Sequence, residues 1–450
     1  MFCSRIVNAK LHITLLIIIF TLPLKLLAEQ MNTLEKPDSR LSLSDVLLEV
    51  RENNRSLISY EYDAQADHTE AKSNTYFPDP TLFVSAQNLP TDTFKFHQEP
   101  MTQLRFGIRQ EIPAGDTLQI KHDTLQMKSE MKFTMQDRQW LRLKRAVEQA
   151  WLEAWYWQNA LEILDEDAVF LKQVLDITQS LYEVGARNQG DVLGADLEMV
   201  ELEEKRINAQ QNFLEFRNKI NTLAQQNINP WPLDLSLNEF NFQETSMHTL
   251  QSKLEMHPDI MHKAHSIHIS TQNIKLAEQS YEPRWSIEAS YGLRSGENND
   301  NSDRSDLFSA GVNVQVPLFS KAGQDNKVRA AKNRRLSAEN ARADALENMV
   351  FEYINLQQKY LISLKQSKLY ESKILPTLAQ QKASILTAYQ SDRLGFNHTL
   401  RVYLKEQGSR LKYQRILVNQ QKMLSQLNYW LPNQTLITPT ATLKKIGAVE

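Results

Sequence analysis

The sequence is poor in the residues that close or break local structure. Its 450 residues contain one cysteine, Cys3, and only 12 glycines. With a single thiol there is no disulfide and no cysteine-rich metal site. Net charge is −3, so there is no bulk positive field to attract nucleic acid. After Ala28 no apolar run is long enough to cross a bilayer as a helix. Walker loops, dinucleotide fingerprints and nucleophile elbows are absent, and no catalytic residue is proposed.

Residues 1–28 read as a signal peptide. Arg5 and Lys10 precede a short apolar run from Ile13 to Leu22, and Ala28 supplies the small residue at its end. The alternative is an uncleaved anchor helix. Cys3 lies inside this segment, so a cleaved chain carries no thiol and no cysteine for lipid attachment.

What the sequence does have is helix. From Asp116 to Val184 there is neither glycine nor proline, which predicts a rod of roughly 100 Å at about 1.5 Å per residue. Leu143, Val147, Ala150, Ala154, Trp157, Leu161, Leu164, Ala168, Leu171 and Leu175 alternate steps of four and three, a coiled-coil seam. A second seam runs through Ile163, Phe170, Val174, Ile177 and Leu181. Two seams call for a neighbour on each side. Trp151, Trp155 and Trp157 read as packing between helices. Glu162, Asp165, Glu166 and Asp167 read as a solvated or lumen-facing charge run.

The chain is also a duplication. Leu82–Ala86 lies over Trp285–Ala289, and Phe106–Pro113 over Ala310–Pro317. Gly115 parallels Gly323, each opening a long helix, the second free of breakers from Gln324 to Pro376. Tyr182 and Tyr389 each precede a tight turn and a return helix. The first return seam runs Ala195, Met199, Leu202, Arg206, Ala209, Phe213, Phe216, Ile220, Leu223; the second is more polar, with Leu417, Gln420, Leu424, Leu427, Leu431. The expected boundaries are a first repeat at 29–230 (hairpin 81–113, helix pair 116–229), a connector at 231–245, a second repeat at 246–431 (hairpin 284–317, helix pair 324–431) and a tail at 432–450.

Four segments alternate cleanly between apolar and polar positions. Trp285, Ile287, Ala289, Tyr291 and Leu293 oppose Ser286, Glu288, Ser290, Gly292 and Arg294. Phe308, Ala310, Val312, Val314 and Val316 oppose Ser309, Gly311, Asn313 and Gln315. The segments starting at Leu82 and Leu104 repeat the pattern. Their length, about ten residues, suits a transmembrane β-strand. One reading is an ordinary sheet packed on the helices. The other is a barrel pooled between chains, because four strands cannot close one and about eight is the usual minimum.

With this plan in view, the whole chain after the signal segment resembles the TolC family of outer-membrane efflux proteins. The resemblance rests on the duplicated helix–hairpin–long helix–turn–long helix order, on the strand ends Phe106–Pro113 and Ala310–Pro317, on Tyr182-Glu183-Val184-Gly185 followed by Asp191-Val192-Leu193, and on Pro376 before Tyr389. Pro90–Arg109, with Phe96-His97-Gln98-Glu99-Pro100-Met101-Thr102, resembles the branch that includes CzcC-like heavy-metal efflux channels.

The resemblance implies a mainly helical homotrimer with a small β part: a 12-stranded β-barrel, four strands per chain, in the outer membrane, joined to a periplasmic α-barrel. It implies a passive duct that takes substrates from an inner-membrane pump, of the RND type or another, through a periplasmic adaptor. The implied surroundings are outer-membrane lipid, with no cofactor and no nucleic acid. Arg187, Asp191, Tyr389, Asp392 and Arg393 at the two helical turns become candidates for the periplasmic tip and gate, and Asp196, His398 and Arg401 for the lining of the entrance. The chain departs from the family where Asp392 stands in place of the usual Gly, and where His398 stands in the second return turn in place of an Asp, with Arg401 one turn later. A soluble periplasmic coiled-coil adaptor or a structural protein is the alternative function. His248, His257, His262, His265 and His268 cluster in sequence; helical spacing would let pairs of them share a face, but without cysteine or a matching Glu set no metal site is assigned.

Overall fold

A computed structural model describes residues 42–228, 246–319 and 321–431. The signal segment with Cys3, the connector at 231–245 and the tail at 432–450 lie outside the described residues. In chain order the elements are α1 (Leu43–Asn53), α2 (Arg55–Ser73), β1 (Thr81–Gln87), β2 (Gln103–Ile112), α3 (Thr117–Glu183), α4 (Gln189–Ala224), α5 (Met247–Glu255), α6 (Pro258–Glu278), β3 (Arg284–Arg294), β4 (Leu307–Gln315), α7 (Lys321–Leu369), α8 (Leu375–Gln390) and α9 (Phe396–Trp430). A single π-helical turn, Tyr370–Ile374, joins α7 to α8.

Helix α3 runs 67 residues without interruption, as the lack of breakers predicts. The second long helix does not stop at Pro376. Pro376 falls in the first turn of α8, directly after the π turn. A wider turn removes the clash that proline makes with a preceding carbonyl, so the helix passes through. The two glycines that parallel each other in sequence also differ. Gly115 takes a left-handed φ of +46° before α3, and a Cβ there would meet Gln279 Oε1 at 2.1 Å. Gly323 is an ordinary residue inside α7.

The residues form two compact units, each drawing on both repeats. The first holds α1, the part of α3 from Ala146, α4, the end of α7 from Ser363, α8 and most of α9. Here the two seams of α3 each find a partner. Leu164 and Leu171 pack with Leu202 and Ala209 of α4 and Tyr403 of α9. Val174 and Leu175 pack with Ala195, Tyr389 and Phe396. Leu152, Tyr156 and Ala160 pack on Val418, with Trp155 and Trp157 beside them. The polar seam position Gln420 is buried, but its amide donates to Ser363 O and Ser367 Oγ at 2.8 Å each. A satisfied amide is tolerated in such a core.

The charge run is not uniform. Glu162, Asp165 and Glu166 are exposed, whereas Asp167 is fully buried. The reason is periodicity: Asp167 fills the gap between Ile163 and Phe170 in the second seam. Lys382 of α8 reaches it at 3.1 Å and Glu406 of α9 at 2.9 Å. Arg410 pairs with Glu166.

The second unit holds α2, the sheet, the first part of α3, α5, α6 and α7 as far as Ile362. Strand order is β1-β2-β3-β4, all neighbours antiparallel, so the two hairpins meet through β2 and β3. Ile108 faces Ala289 and Phe106 faces Tyr291 across that junction. Edge strands β1 and β4 end the sheet. The loops between strands are tied to each other: Arg304 donates to Glu99 O and Arg294 to Pro100 O, both at 3.1 Å. His257 caps the start of α6, accepting from Asp259 N at 3.1 Å, and its other ring nitrogen meets Tyr429 O at 3.1 Å. Both nitrogens are thus engaged in structure. Among the described residues no group of three or more His, Cys, Asp or Glu is placed to hold a metal ion.

Candidate functional site

Two features have the geometry of a working part: the paired helical turns in the first unit and the two-faced sheet in the second.

The turns between α3 and α4 and between α8 and α9 are built alike. In the first, Gly185 N–H bonds Tyr182 O at 2.9 Å and Ala186 N–H bonds Leu181 O at 2.8 Å. In the second, Asp392 N–H bonds Tyr389 O at 3.0 Å and Arg393 N–H bonds Ala388 O at 2.8 Å. Each is a Schellman ending with one left-handed residue. That residue is Gly185 at φ +76° in one turn and Asp392 at φ +55° in the other. Asp is among the few side chains that tolerate this conformation. Its presence where a glycine would be easier puts a carboxylate at the turn.

Arg187 uses that carboxylate. Its guanidinium reaches Asp392 Oδ1 at 2.7 Å and donates to Leu394 O at 2.6 Å. It also lies 5.5 Å from the centre of the Tyr389 ring, a cation–π distance. Tyr389 is completely buried, unlike its repeat partner Tyr182, which is exposed. Thr178 Oγ1 donates to Val174 O at 2.6 Å and lies 2.7 Å from Tyr389 Oη. With the threonine proton committed, the tyrosine must donate to Thr178. Burial pushes the phenol up, more than Thr178 and Arg187 pull it down, so it keeps that proton at neutral pH. The arrangement is a latch: one cation ties the second turn to the first, over a buried phenol that anchors α8 to α3.

The structure therefore brings Arg187, Tyr389 and Asp392 together. Asp191 sits in the first turn of α4, where Asn188 Oδ1 accepts from its amide at 3.0 Å. Its carboxylate contributes to the field at Tyr389. Arg393 is exposed beside the latch, and Asp196, His398 and Arg401 are exposed on the opening turns of the return helices. Sequence reasoning missed Thr178, although a polar residue at the next step of the first seam after Leu175 marked it. It also missed the backbone acceptor at Leu394, which carries no sequence signal.

The sheet separates an apolar face from a polar one, with Gln110 on the first and Phe83 and Leu307 on the second. One face carries Leu82, Val84, Phe106, Ile108, Trp285, Ile287, Tyr291, Leu293, Phe308, Val312 and Val314, all strongly exposed. On the other, Arg105 and Arg109 each reach Glu288 at 2.7 Å. An exposed apolar face of this extent is a contact surface for lipid or for protein. Among the described residues no helix is long and apolar enough to cross a membrane.

Residues 249–404 match the sequence model of the family described as "Outer membrane efflux protein". The chain carries an outer membrane efflux protein domain. The matched stretch of that efflux domain runs from α5 through the second hairpin to the opening turns of α9, and so includes Tyr389, Asp392 and the second half of the sheet. A comparison with curated proteins gives no sequence match. Among solved structures, a membrane protein from Pseudomonas aeruginosa is similar at a TM-score of 0.73 and 16% identity, covering 88% of this chain and 92% of that one. The CmeC outer membrane channel of Campylobacter jejuni is similar at 0.71 and 14%, covering 90% and 88%. The outer membrane protein VceC of Vibrio cholerae is similar at 0.67 and 15%, covering 88% and 95%. At such identities the likeness is one of fold, and it extends from the efflux domain over nearly the whole described chain.

Proposed function

We propose that the protein is the outer-membrane channel subunit of a tripartite efflux system, a passive exit duct fed by an inner-membrane pump through a periplasmic adaptor. The observation that carries this reading is the sheet. Four strands with an exposed apolar face and two open edges make no sense in water, since exposed edges and apolar patches invite aggregation. They make sense as a third of a barrel, with lipid outside and water inside. Three copies would supply twelve strands, and the long helix pairs would continue the wall into the periplasm. The outer-membrane efflux domain and the fold shared with outer-membrane channels support the same reading. An adaptor or a structural coiled coil has no use for this sheet.

In this reading the turns are the inner end of the duct, facing the adaptor. The Arg187–Asp392 pair holds α8 and α9 against α3 and α4, and opening requires that pair to part. Arg393, Asp191, Asp196, His398 and Arg401 line the approach. The pump selects the cargo; the heavy-metal branch resemblance makes metal ions one class to test beside drugs.

The test is fractionation, native mass and single-channel recording on detergent-extracted protein. Integral outer-membrane behaviour, a three-chain mass and discrete currents are expected. Replacing Arg187→Ala and Asp392→Ala together is expected to raise conductance. A water-soluble protein without currents would end the proposal; currents unchanged by the double variant would end only the gating role.

A further inference from the structure

The polar face of the sheet is not neutral. Strand register places Gln103, Arg105, Gly107, Arg109 and Glu111 of β2 on one face with Arg284, Ser286, Glu288, Ser290 and Arg294 of β3. Four arginines stand there against two glutamates, a surplus of two positive charges per chain. The opposite face of the same strands carries no charge at all. Helix α7, which follows β4, keeps the sign near its start: Lys327, Arg329, Lys332, Arg334 and Arg335 are all exposed.

The centre of this face is built, not merely charged. Arg105 and Arg109 grip the two oxygens of Glu288 from either side, and Arg105 also donates to Ser290 Oγ at 2.7 Å. Phe83 pairs with Gly107, and the centre of its ring lies 5.4 Å from the Arg105 guanidinium and 5.9 Å from that of Arg109. Only a glycine leaves room for the ring, because a Cβ at position 107 would sit 2.2 Å from Phe83 Cζ. The spacing Arg-x-Gly-x-Arg therefore makes a slot for one aromatic ring between two cations. One carboxylate cannot neutralise two guanidiniums, and each keeps donors for a further oxyanion.

We propose that this face is an anion-favouring wall, on which Arg105 and Arg109 draw carboxylate- or phosphate-bearing solutes through the strand region and disfavour bare metal cations. The inference rests on the reading that these strands enclose a water-filled lumen. Rings of like charge set the ion preference of a pore because the wall's low dielectric preserves their field. In a trimer the slot repeats three times at one height, so its charges act together on one cross-section.

The test is the reversal potential of the full-length trimer in a planar bilayer under a potassium chloride gradient. It is made in the wild type and in an Arg187→Ala/Asp392→Ala background that keeps the net charge while loosening the tip. Chloride is expected to be preferred over potassium in both. Arg105→Gln/Arg109→Gln is expected to bring the permeability ratio to about one or below. Because that variant leaves Glu288 without its two cationic partners, Arg105→Gln/Arg109→Gln/Glu288→Gln serves as the folding control. It removes one net charge instead of two and is expected to fall between. A conducting trimer that prefers potassium, or a ratio unmoved in both variants, overturns the anion-favouring wall and leaves the channel standing. No conductance in either background overturns both.

Discussion

At the scale of single residues, the latch and the capping histidine give separate predictions. Tyr389 spends its proton on Thr178 in a dry site, so Tyr389→Phe should cost about 1 kcal/mol of stability, measured by thermal melting. At Asp392 the backbone and the side chain can be told apart. Asp392→Ala loses the ion pair and places a Cβ residue without local hydrogen bonding at φ +55°. Asp392→Gly loses the same ion pair but relieves the backbone. The glycine variant should be the more stable by about 1 kcal/mol, while both loosen the turn equally in conductance. His257 is held neutral: burial is the main cause and lowers its pKa from 6.5 to about 4, against a weaker pull upward from Asp259. Above pH 6.5 both folded and unfolded chains carry it neutral, and nothing changes. As pH falls from 6.5 toward 4 the unfolded chain takes up the proton first, so stability drops, by up to about 3 kcal/mol. His257→Gln should remove that part of the acid sensitivity in melts compared at neutral and acid pH, and a slope identical to wild type would refute the assignment.

At the scale of elements, α3, α8 and α9 are joined by a buried charge cluster. Asp167 Oδ1 is bound by Lys382, which also lies 4.8 Å from the Phe170 ring centre. Removing one member of such a pair strands the other, so Asp167→Asn and Lys382→Met should each cost roughly 3 kcal/mol or more. Replacing both, Asp167→Leu with Lys382→Met, should recover part of the loss, because neither member of that pair is left stranded and Glu406 keeps Arg410 at 3.8 Å as its cation. A double-mutant cycle on denaturant midpoints decides it; additive losses would mean the cluster is not a unit. The same element scale explains how much of the helical part was legible. The seams announced a neighbour on each side because coiled-coil packing is periodic and local; which helices fill those places came from the fold. Asp167 looked like part of a solvated run only because its neighbours are charged; its place in the second seam already pointed inward. The passage of α7 into α8 across Pro376 was not legible, because a π turn depends on which carbonyl can be spared.

At the scale of the whole molecule, the two faces of the sheet predict opposite tolerances. Val312 lies on the apolar face and Asn313 on the polar one. Val312→Arg should lower the yield of membrane-inserted protein, at a cost of about 2–4 kcal/mol near the bilayer midplane, while Asn313→Arg should leave it unchanged. Equal yields, read from outer-membrane fractions, would mean the apolar face does not meet lipid.

The sequence by itself determined the length of the first long helix, the strand segments and the two-faced alternation, because each is carried by neighbouring residues. It also placed both tight turns through Tyr182, Gly185, Tyr389 and Asp392. Only the tertiary structure decided that β2 pairs with β3, that Arg187 rather than Arg393 binds Asp392, that Tyr389 is buried while Tyr182 is not, and that Phe83 lies in the Gly107 slot between two arginines. Those choices join residues far apart in the chain, and contacts of that kind are selected by packing and charge pairing in three dimensions, which no local period encodes.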